Sequence, residues 1–267
     1  MASNYNPWQL YDQLIDGIPE EPCVTDYCLG QNWSYVDAEC GMGISFTVTG
    51  GAKGEEGKDF RGLPLKDLAK LAKSWNFGEA TLGIAAINAW YSQTDKIADY
   101  HPLKETKVLL PDGTTERHND AFVLMRPRIE AMDGNAKVVV VGHFPHVADI
   151  TEYAQLTVLE RNPRSPLDTP DPACEYVMPE ADFAFITGVT LTNKTAPRLL
   201  QLTADATTIM VGPSVIMTPV LFDYGVNLIA GSIVRDPEHI AFSCRSANVG
   251  IPFGEAFERV AIWRPEA

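Results

Sequence analysis

Hydrophobic and polar positions follow three regimes along the chain. In "CVTDYCLGQNWSYVDAECGMGISFTVTGG", residues 23–51, β-branched and aromatic residues alternate with polar ones and are interrupted by "GQN" and "CGMG". That period of two predicts two or three antiparallel strands. A helical regime follows. Leu65, Leu68, Leu71 or Ala72, and Trp75 recur at helical spacing behind Pro64, which suits a first helical turn. "GEATLGIAAINAWY" is apolar nearly all round, as a buried helix is. Phe122, Met125, Ile129 and Met132 then share one face of a helix capped by Asn119 or Asp120, kinked at Pro127 and ended by Gly134.

From Lys137 onward, short apolar runs alternate with helix-length segments. The runs are "KVVVV", "LTVLE", "FAFITG", "TIMVGP" and "VNLIAGS", with "FERVAIW" as a candidate edge strand. Helices are predicted from about His146, near Lys194 to Leu202, shortly after Pro213, and near Pro237 to Arg245. Such alternation predicts right-handed βαβ units in a mostly parallel, Rossmann-like sheet with helices on both faces. The turn signal Pro111-Asp112-Gly113 and the polar stretch after it place a domain boundary near residues 112–120. The chain divides at 1–115 and 116–267.

Composition narrows the function classes. Of 267 residues, 45% are hydrophobic and 21% charged, and the net charge of −14 opposes non-specific nucleic-acid binding. No apolar run approaches the roughly 20 residues of a membrane span, and residues 1–20 lack the basic-then-apolar pattern of a secretion signal, so a cytoplasmic location is expected. The five cysteines are widely spaced without a CxxC pair, a pattern of reduced thiols rather than of disulfides or a zinc knuckle. The glycine-rich stretch Gly50 to Gly62 is not a phosphate loop: Ala52 stands five residues before Gly57, and Lys58 precedes Asp59 instead of Ser or Thr. A surface loop, with a possible role as a lid, is the expectation.

In open α/β sheets ligands bind beyond the carboxyl ends of the strands. Those ends carry Gly142-His143-Phe144, Glu160, Thr187-Gly188 with Thr190 and Asn193-Lys194, and Gly212-Pro213-Ser214 with Thr218. Glu160 stands about 20 residues after the first-strand glycine, where an acidic residue accepts ribose hydroxyls in dinucleotide and methyl-donor sites; a surface pairing with Arg161 or Arg164 is the alternative. Only Gly142 of the glycine fingerprint is present, which disfavours a dinucleotide and leaves an S-adenosylmethionine-like ligand or a transition metal open. His143, an imidazole opening onto the carboxyl edge, is a candidate acid or base. With His146, Glu160, Cys174 and Glu175 it could also supply mixed metal ligands. "GVTLTNKT", Gly188 to Thr195, groups three threonines and Lys194 before a helix and is a candidate anion pocket. Asn88 interrupts the apolar surface of its helix, and either bonds to backbone or faces a cleft between domains. No GxSxG or HExxH motif occurs.

"KVVVVGHFP", "LTVLERNP", "ITGVTLTNKT" and "TIMVGPSVIMTPVLFDYGVNLIAGSIV", preceded by "LAKSWNFGEATLGIAAINA", resemble a bacterial and archaeal family provisionally called the putative heavy-metal chelation family. The resemblance implies a small α+β enolase N-terminal-like domain followed by the Rossmann-like domain. It also implies a cleft between them, proposed to condense or hydrolyse pterin-, flavin- or siderophore-like molecules, with a metal role inferred from gene neighbourhood. His143, Glu160, Thr187 to Lys194 and Gly212 to Ser214 match the segments lining that cleft, and Asn88 the segment from the enolase-like domain. Fold kinship alone brings no enolase chemistry. The expected partner is a small molecule, with a homodimer a further expectation. The competing readings are a small-molecule enzyme, a non-catalytic binder of a metal or metal chelate, and an S-adenosylmethionine-dependent methyltransferase.

Overall fold

The computed structural model describes residues 6–54, 57–109, 115–145, 147–246 and 254–265; the predicted turn at 111–113 and His146 lie outside them. The alternating region forms an antiparallel meander of β1 (Val24–Cys28), β2 (Trp33–Ala38) and β3 (Gly41–Phe46). Before it stands α1 (Gln9–Asp16) and after it α2 (Leu65–Ala69), continued by a 3₁₀ turn over Lys70–Lys73. Helix α3 (Phe77–Tyr91) begins at Asn76, whose side chain accepts from the Glu79 amide, and its residues from Ala80 to Ala89 are all buried. A short α4 (Thr94–Ile97) leads to three brief strands, β4 (Leu103–Lys104), β5 (Lys107–Leu109) and β6 (Thr115–Arg117). Helix α5 (Ala121–Glu130) is capped by Asp120 and carries Pro127 inside it.

The later runs become β7 (Lys137–Val141), β8 (Gln155–Glu160), β9 (Asp168–Pro170), β10 (Phe183–Thr187), β11 (Thr207–Val211), β12 (Val226–Val234) and β13 (Phe257–Trp263). Between them stand α6 (Cys174–Val177), α7 (Val189–Thr192), α8 (Ala196–Leu202) and α9 (Pro237–Arg245). The eight-stranded sheet has the order β4-β13-β12-β11-β10-β7-β8-β9. From β9 to β12 every pairing is parallel, while β13 and β4 close the edge antiparallel. The chain therefore lays β7 centrally, builds outward through β8 and β9, and crosses back to β10, β11 and β12. This is the doubly wound order, with its switch point between β7 and β10.

Two strands of the large sheet escape the hydrophobic pattern. Strand β9 is the polar triplet Asp168-Thr169-Pro170, held by parallel pairing of Val158, Leu159 and Glu160 with it. Strand β4 pairs only through Lys104 and Leu103 with Val260 and Ala261. Neither is long enough to show a period, so cross-strand pairing decides both. After β7 a 3₁₀ turn over Val147–Glu152 stands where a longer helix is predicted.

Side chains alternate across the sheet. Val138, Val140, Phe183 and Phe185 face a core closed by Met125 and Ile129 of α5. Val139, Val141, Ala184 and Ile186 face the other core, shared with Leu10 and Leu14 of α1, Ile84 and Ile87 of α3, and Leu199 and Leu200 of α8. The N-terminal half is thus part of one cover of the sheet, and Tyr11 of α1 donates its hydroxyl to the Leu191 carbonyl at 2.7 Å.

Candidate functional site at the carboxyl edge of the sheet

The ends of β7 and β8, with the start of β9 beside them, form one wing of the carboxyl edge. His143 leaves β7 through Gly142, whose φ of 98° a residue with a side chain adopts only under strain. Its ring lies with Nε2 2.9 Å from Oδ1 and 3.2 Å from Oδ2 of Asp168. The histidine side chain is 41% exposed and the aspartate side chain fully covered. Asp168 Oδ2 also accepts from the amides of Arg164 at 2.6 Å and Ser165 at 2.8 Å. Those bonds, the Arg164 amide foremost, hold the carboxyl below its usual range, and the nearby His143 adds to the effect. Oδ1 has no aligned donor. The aspartate is therefore a fixed anion that orients an accessible imidazole, the arrangement of an acid–base dyad.

Glu160 ends β8 half-buried, and its Oε1 accepts from the Asn162 amide at 3.1 Å. The predicted alternative partner is engaged elsewhere: Arg161 Nε bonds Asp171 at 2.9 Å. Glu160 and Asp168 both belong to the β8–β9 ladder, Glu160 opposite Pro170. Asp168 is the residue that sequence reasoning missed. Its one available signal was the turn chemistry of "NPRSPLD", an Asp placed to receive amides from a proline-bounded loop.

Phe144 joins this wing to the next. Its ring carbons stand 3.9 Å from where a Cβ would project at Gly142 and, on the other side, at Gly212. The ring thus bridges the ends of β7 and β11 and leans on Phe122 at 5.4 Å between centroids, which stacks on Phe185 at 4.4 Å. An aromatic side chain fills space next to the strand-end glycine that a pyrophosphate would need for backbone contact. Thr187 remains half-buried at the end of β10, and Pro213 follows Gly212, also half-buried.

The ends of β10 and β11 form the second wing, and the N-terminal half seals it. Gly188 is buried, with the Val215 amide 2.4 Å from where a Cβ would stand. Thr190 donates to the Thr187 carbonyl at 2.6 Å, and Thr192 meets Ser45 of β3 at 3.5 Å. Ser214 accepts from the Phe46 amide at 2.8 Å. Thr218 caps the following 3₁₀ turn through the Val220 amide. Asn88 is 1% exposed; its Nδ2 donates to the carbonyls of Ile44 at 3.0 Å and Ser214 at 3.4 Å, and its Oδ1 accepts from Ser92 at 2.8 Å. Of the expected ligand contacts, Asn88, Gly188, Thr190, Ser214 and Thr218 are therefore buried: Asn88 and Ser214 bond across the two halves, and Gly188, Thr190 and Thr218 bond to neighbouring strands and turns. Thr190 and Thr192 of the expected anion pocket are buried, with their hydroxyls bonded within the protein. Asn193 turns inward on Thr195, bonding its hydroxyl at 2.7 Å, and Lys194 bonds the Thr192 carbonyl at 2.9 Å.

Metal-ligand geometry is absent among the described residues: no three His, Cys, Asp or Glu side chains converge on one point. Glu175 pairs with Arg198 at 2.5 Å, and burial pushes the Cys174 thiol up, away from the thiolate a metal needs. The described residues do not fit a protein-built metal centre. A cavity of about 410 Å³ lies elsewhere, between the meander and α9, lined in part by Asp26, Asp37, Met42, Phe242 and Arg245. No described helix is long and apolar enough to cross a membrane.

Comparison with known proteins gives a consistent picture. Two family models, both described as putative heavy-metal chelation, match residues 11–91 and 129–259. An uncharacterized protein of Methanocaldococcus jannaschii is 27% identical over 259 residues, covering 92% of either chain. The crystal structure of a DUF364-family protein of unknown function from Desulfitobacterium hafniense is similar with a TM-score of 0.81 at 32% identity, over 96% of this chain and 98% of that one. Another of unknown function, from Pyrococcus horikoshii, shares the fold with a TM-score of 0.77 at 17% identity, over 97% and 99%. With both halves matched by its models and an intact relative aligned end to end, the chain belongs to the putative heavy-metal chelation family, whose function is unknown.

Proposed function

We propose that the protein binds a compact small molecule at the open wing and acts on it by proton transfer at His143. The observation that carries this reading is the exposed imidazole held at Nε2 by the covered carboxylate of Asp168. With Nε2–H donating to Asp168, Nδ1 presents its lone pair outward and takes a proton from the ligand, and the carboxylate stabilises the resulting imidazolium. Glu160, with Oε2 not committed to the Asn162 amide, orients the ligand through hydroxyl or ring N–H groups. Phe144 supplies an apolar surface beside it. A pterin-, flavin- or siderophore-like heterocycle suits this combination.

Heavy-metal chelation then concerns the ligand. Without a convergent ligand set among the described residues, a metal would arrive bound to a chelator, as cargo. This same observation favours, as a second reading, a non-catalytic carrier of a metal–chelator complex at the same wing. An S-adenosylmethionine site draws support from the position of Glu160 and is weakened by the Phe144 ring over Gly142. The two-part division of the chain at 115/116 is a further part of this proposal.

Thermal-shift measurements against a pterin, a flavin, S-adenosylmethionine and bare transition-metal ions separate these readings. A bound heterocycle at about 100 times its Kd raises Tm by roughly 5 °C, and Glu160→Gln removes most of that shift. Stabilisation by bare metal ions alone, or heterocycle shifts untouched in both Glu160→Gln and His143→Ala, would overturn the proposal. Turnover of the bound heterocycle that His143→Ala abolishes selects the enzyme; binding without turnover selects the carrier.

A further inference from the structure

Lys194 stands apart from the wing that carries His143. It follows Asn193, the C-terminal cap of the four-residue α7, and takes a φ of 68°. Glycine is usual at such a left-handed cap, and a residue with a Cβ is strained there. The Nζ donates to the Thr192 carbonyl at 2.9 Å and lies 5.6 Å from the ring centre of Phe77 and 6.0 Å from that of Trp75. Both rings come from the start of α3 and the residues before it, so the amine sits on the seam between the halves. Trp75 is 58% exposed, which leaves an aromatic surface leading from solvent to the nitrogen.

The electrostatic setting differs from that of the ion-paired lysines. Lys66, Lys70, Lys73 and Lys137 are each paired with a carboxylate. Lys194 has no carboxylate within ion-pair distance among the described residues, and burial alone lowers its ammonium to about 8. A lysine that loses its proton near pH 8 beside aromatic side chains is, in its neutral form, a nucleophile toward carbonyl carbon.

We propose that Lys194 is an imine-forming site for an aldehyde or ketone, whose apolar part rests on Trp75 and Phe77. The neutral amine adds to the carbonyl carbon and a C–N bond forms. The carbonyl oxygen departs with the two amine hydrogens as water, leaving a C=N bond, and water reverses the step. No oxidant or reductant is required. The competing account is purely structural, an ammonium that closes the last carbonyl of α7, and it makes Lys194 a slow-reacting amine.

The test is reductive trapping on the full chain. The protein is incubated with pyridoxal at pH 8, quenched with borohydride, which delivers hydride to the imine carbon, and mapped by peptide mass spectrometry. The proposal expects Lys194 to be labelled about tenfold faster than the exposed Lys53 and Lys104, with a rate that saturates in pyridoxal. In Trp75→Ala the saturation weakens, and Lys194→Arg, which keeps the charge and the bond to Thr192, loses the label. Labelling of Lys194 no faster than that of Lys53 and Lys104, or a rate strictly proportional to pyridoxal, overturns it.

Discussion

The two wings of one sheet edge have opposite fates. At β7, β8 and β9, His143, Phe144 and Glu160 stay open to solvent or half-buried, with Asp168 covered behind them. At β10 and β11, Gly188, Thr190 and Ser214 lie buried beneath β3 and α3, their polar groups bonded within the protein. Small and hydroxyl-bearing residues at the ends of β10 and β11 let the N-terminal half approach closely, with the Thr190 and Ser214 hydroxyls and the Asn88 amide each hydrogen-bonded, whereas the larger and ionisable side chains after β7 and β8 are left uncovered by it.

This contrast can be broken in four measurements, beginning with the largest expected effect. Asn88→Leu keeps the branching at Cγ in a somewhat larger apolar side chain but deprives the Ile44 and Ser214 carbonyls and the Ser92 hydroxyl of a partner, and should cost about 3 kcal/mol in urea unfolding. A cost below about 1 kcal/mol would mean that water enters and the wing is not sealed. Gly188→Ala drives a methyl toward the Val215 amide, 2.4 Å from the added Cβ, and should cost about 2 kcal/mol. Wild-type stability in that variant would show that the loops after β10 and β11 are loosely packed.

Effects on the open wing are smaller. Asp168 has its carboxyl held below the ordinary 3.8, so its contribution is fully present above that value and fades as pH falls through the lower folded-state value. Asp168→Asn should therefore be less stable than the parent at about pH 5, with the difference shrinking in strong acid. A pH-independent difference would assign the loss to packing instead of charge. His143→Ala, at a side chain 41% exposed, should change stability by no more than about 0.5 kcal/mol. A larger loss would make His143 a structural residue and dissolve the distinction between the wings.

Much of the fold is legible from periodicity. The five apolar runs became β7, β8, β10, β11 and β12, "FERVAIW" became the antiparallel β13, and the all-round apolar "GEATLGIAAINAWY" became the buried α3. The candidate site was legible only in part. Gly142, His143 and Glu160 follow apolar strands and so announce a carboxyl edge. Asp168 does not, because its strand exists only by pairing with β8. The inward turn of Thr190 and Ser214 was equally hidden, since a hydroxyl near a strand end reads the same whether its partner is a ligand or a neighbouring chain segment.

The sequence by itself determined the periods of two and of 3.6, the parallel core strands, the glycine that ends β7 and the missing phosphate fingerprint, all local properties of covalent geometry and side-chain polarity. Only the tertiary structure decided the strand order, the placement of Asp168 behind His143, and which strand ends the N-terminal half would cover. Those outcomes depend on contacts between residues distant along the chain: Asn88 meets Ser214 across 126 positions, and His143 meets Asp168 across 25. Such contacts form because burying apolar surface brings the halves together and every polar group taken inside must then find a partner, a condition that no short window of sequence contains.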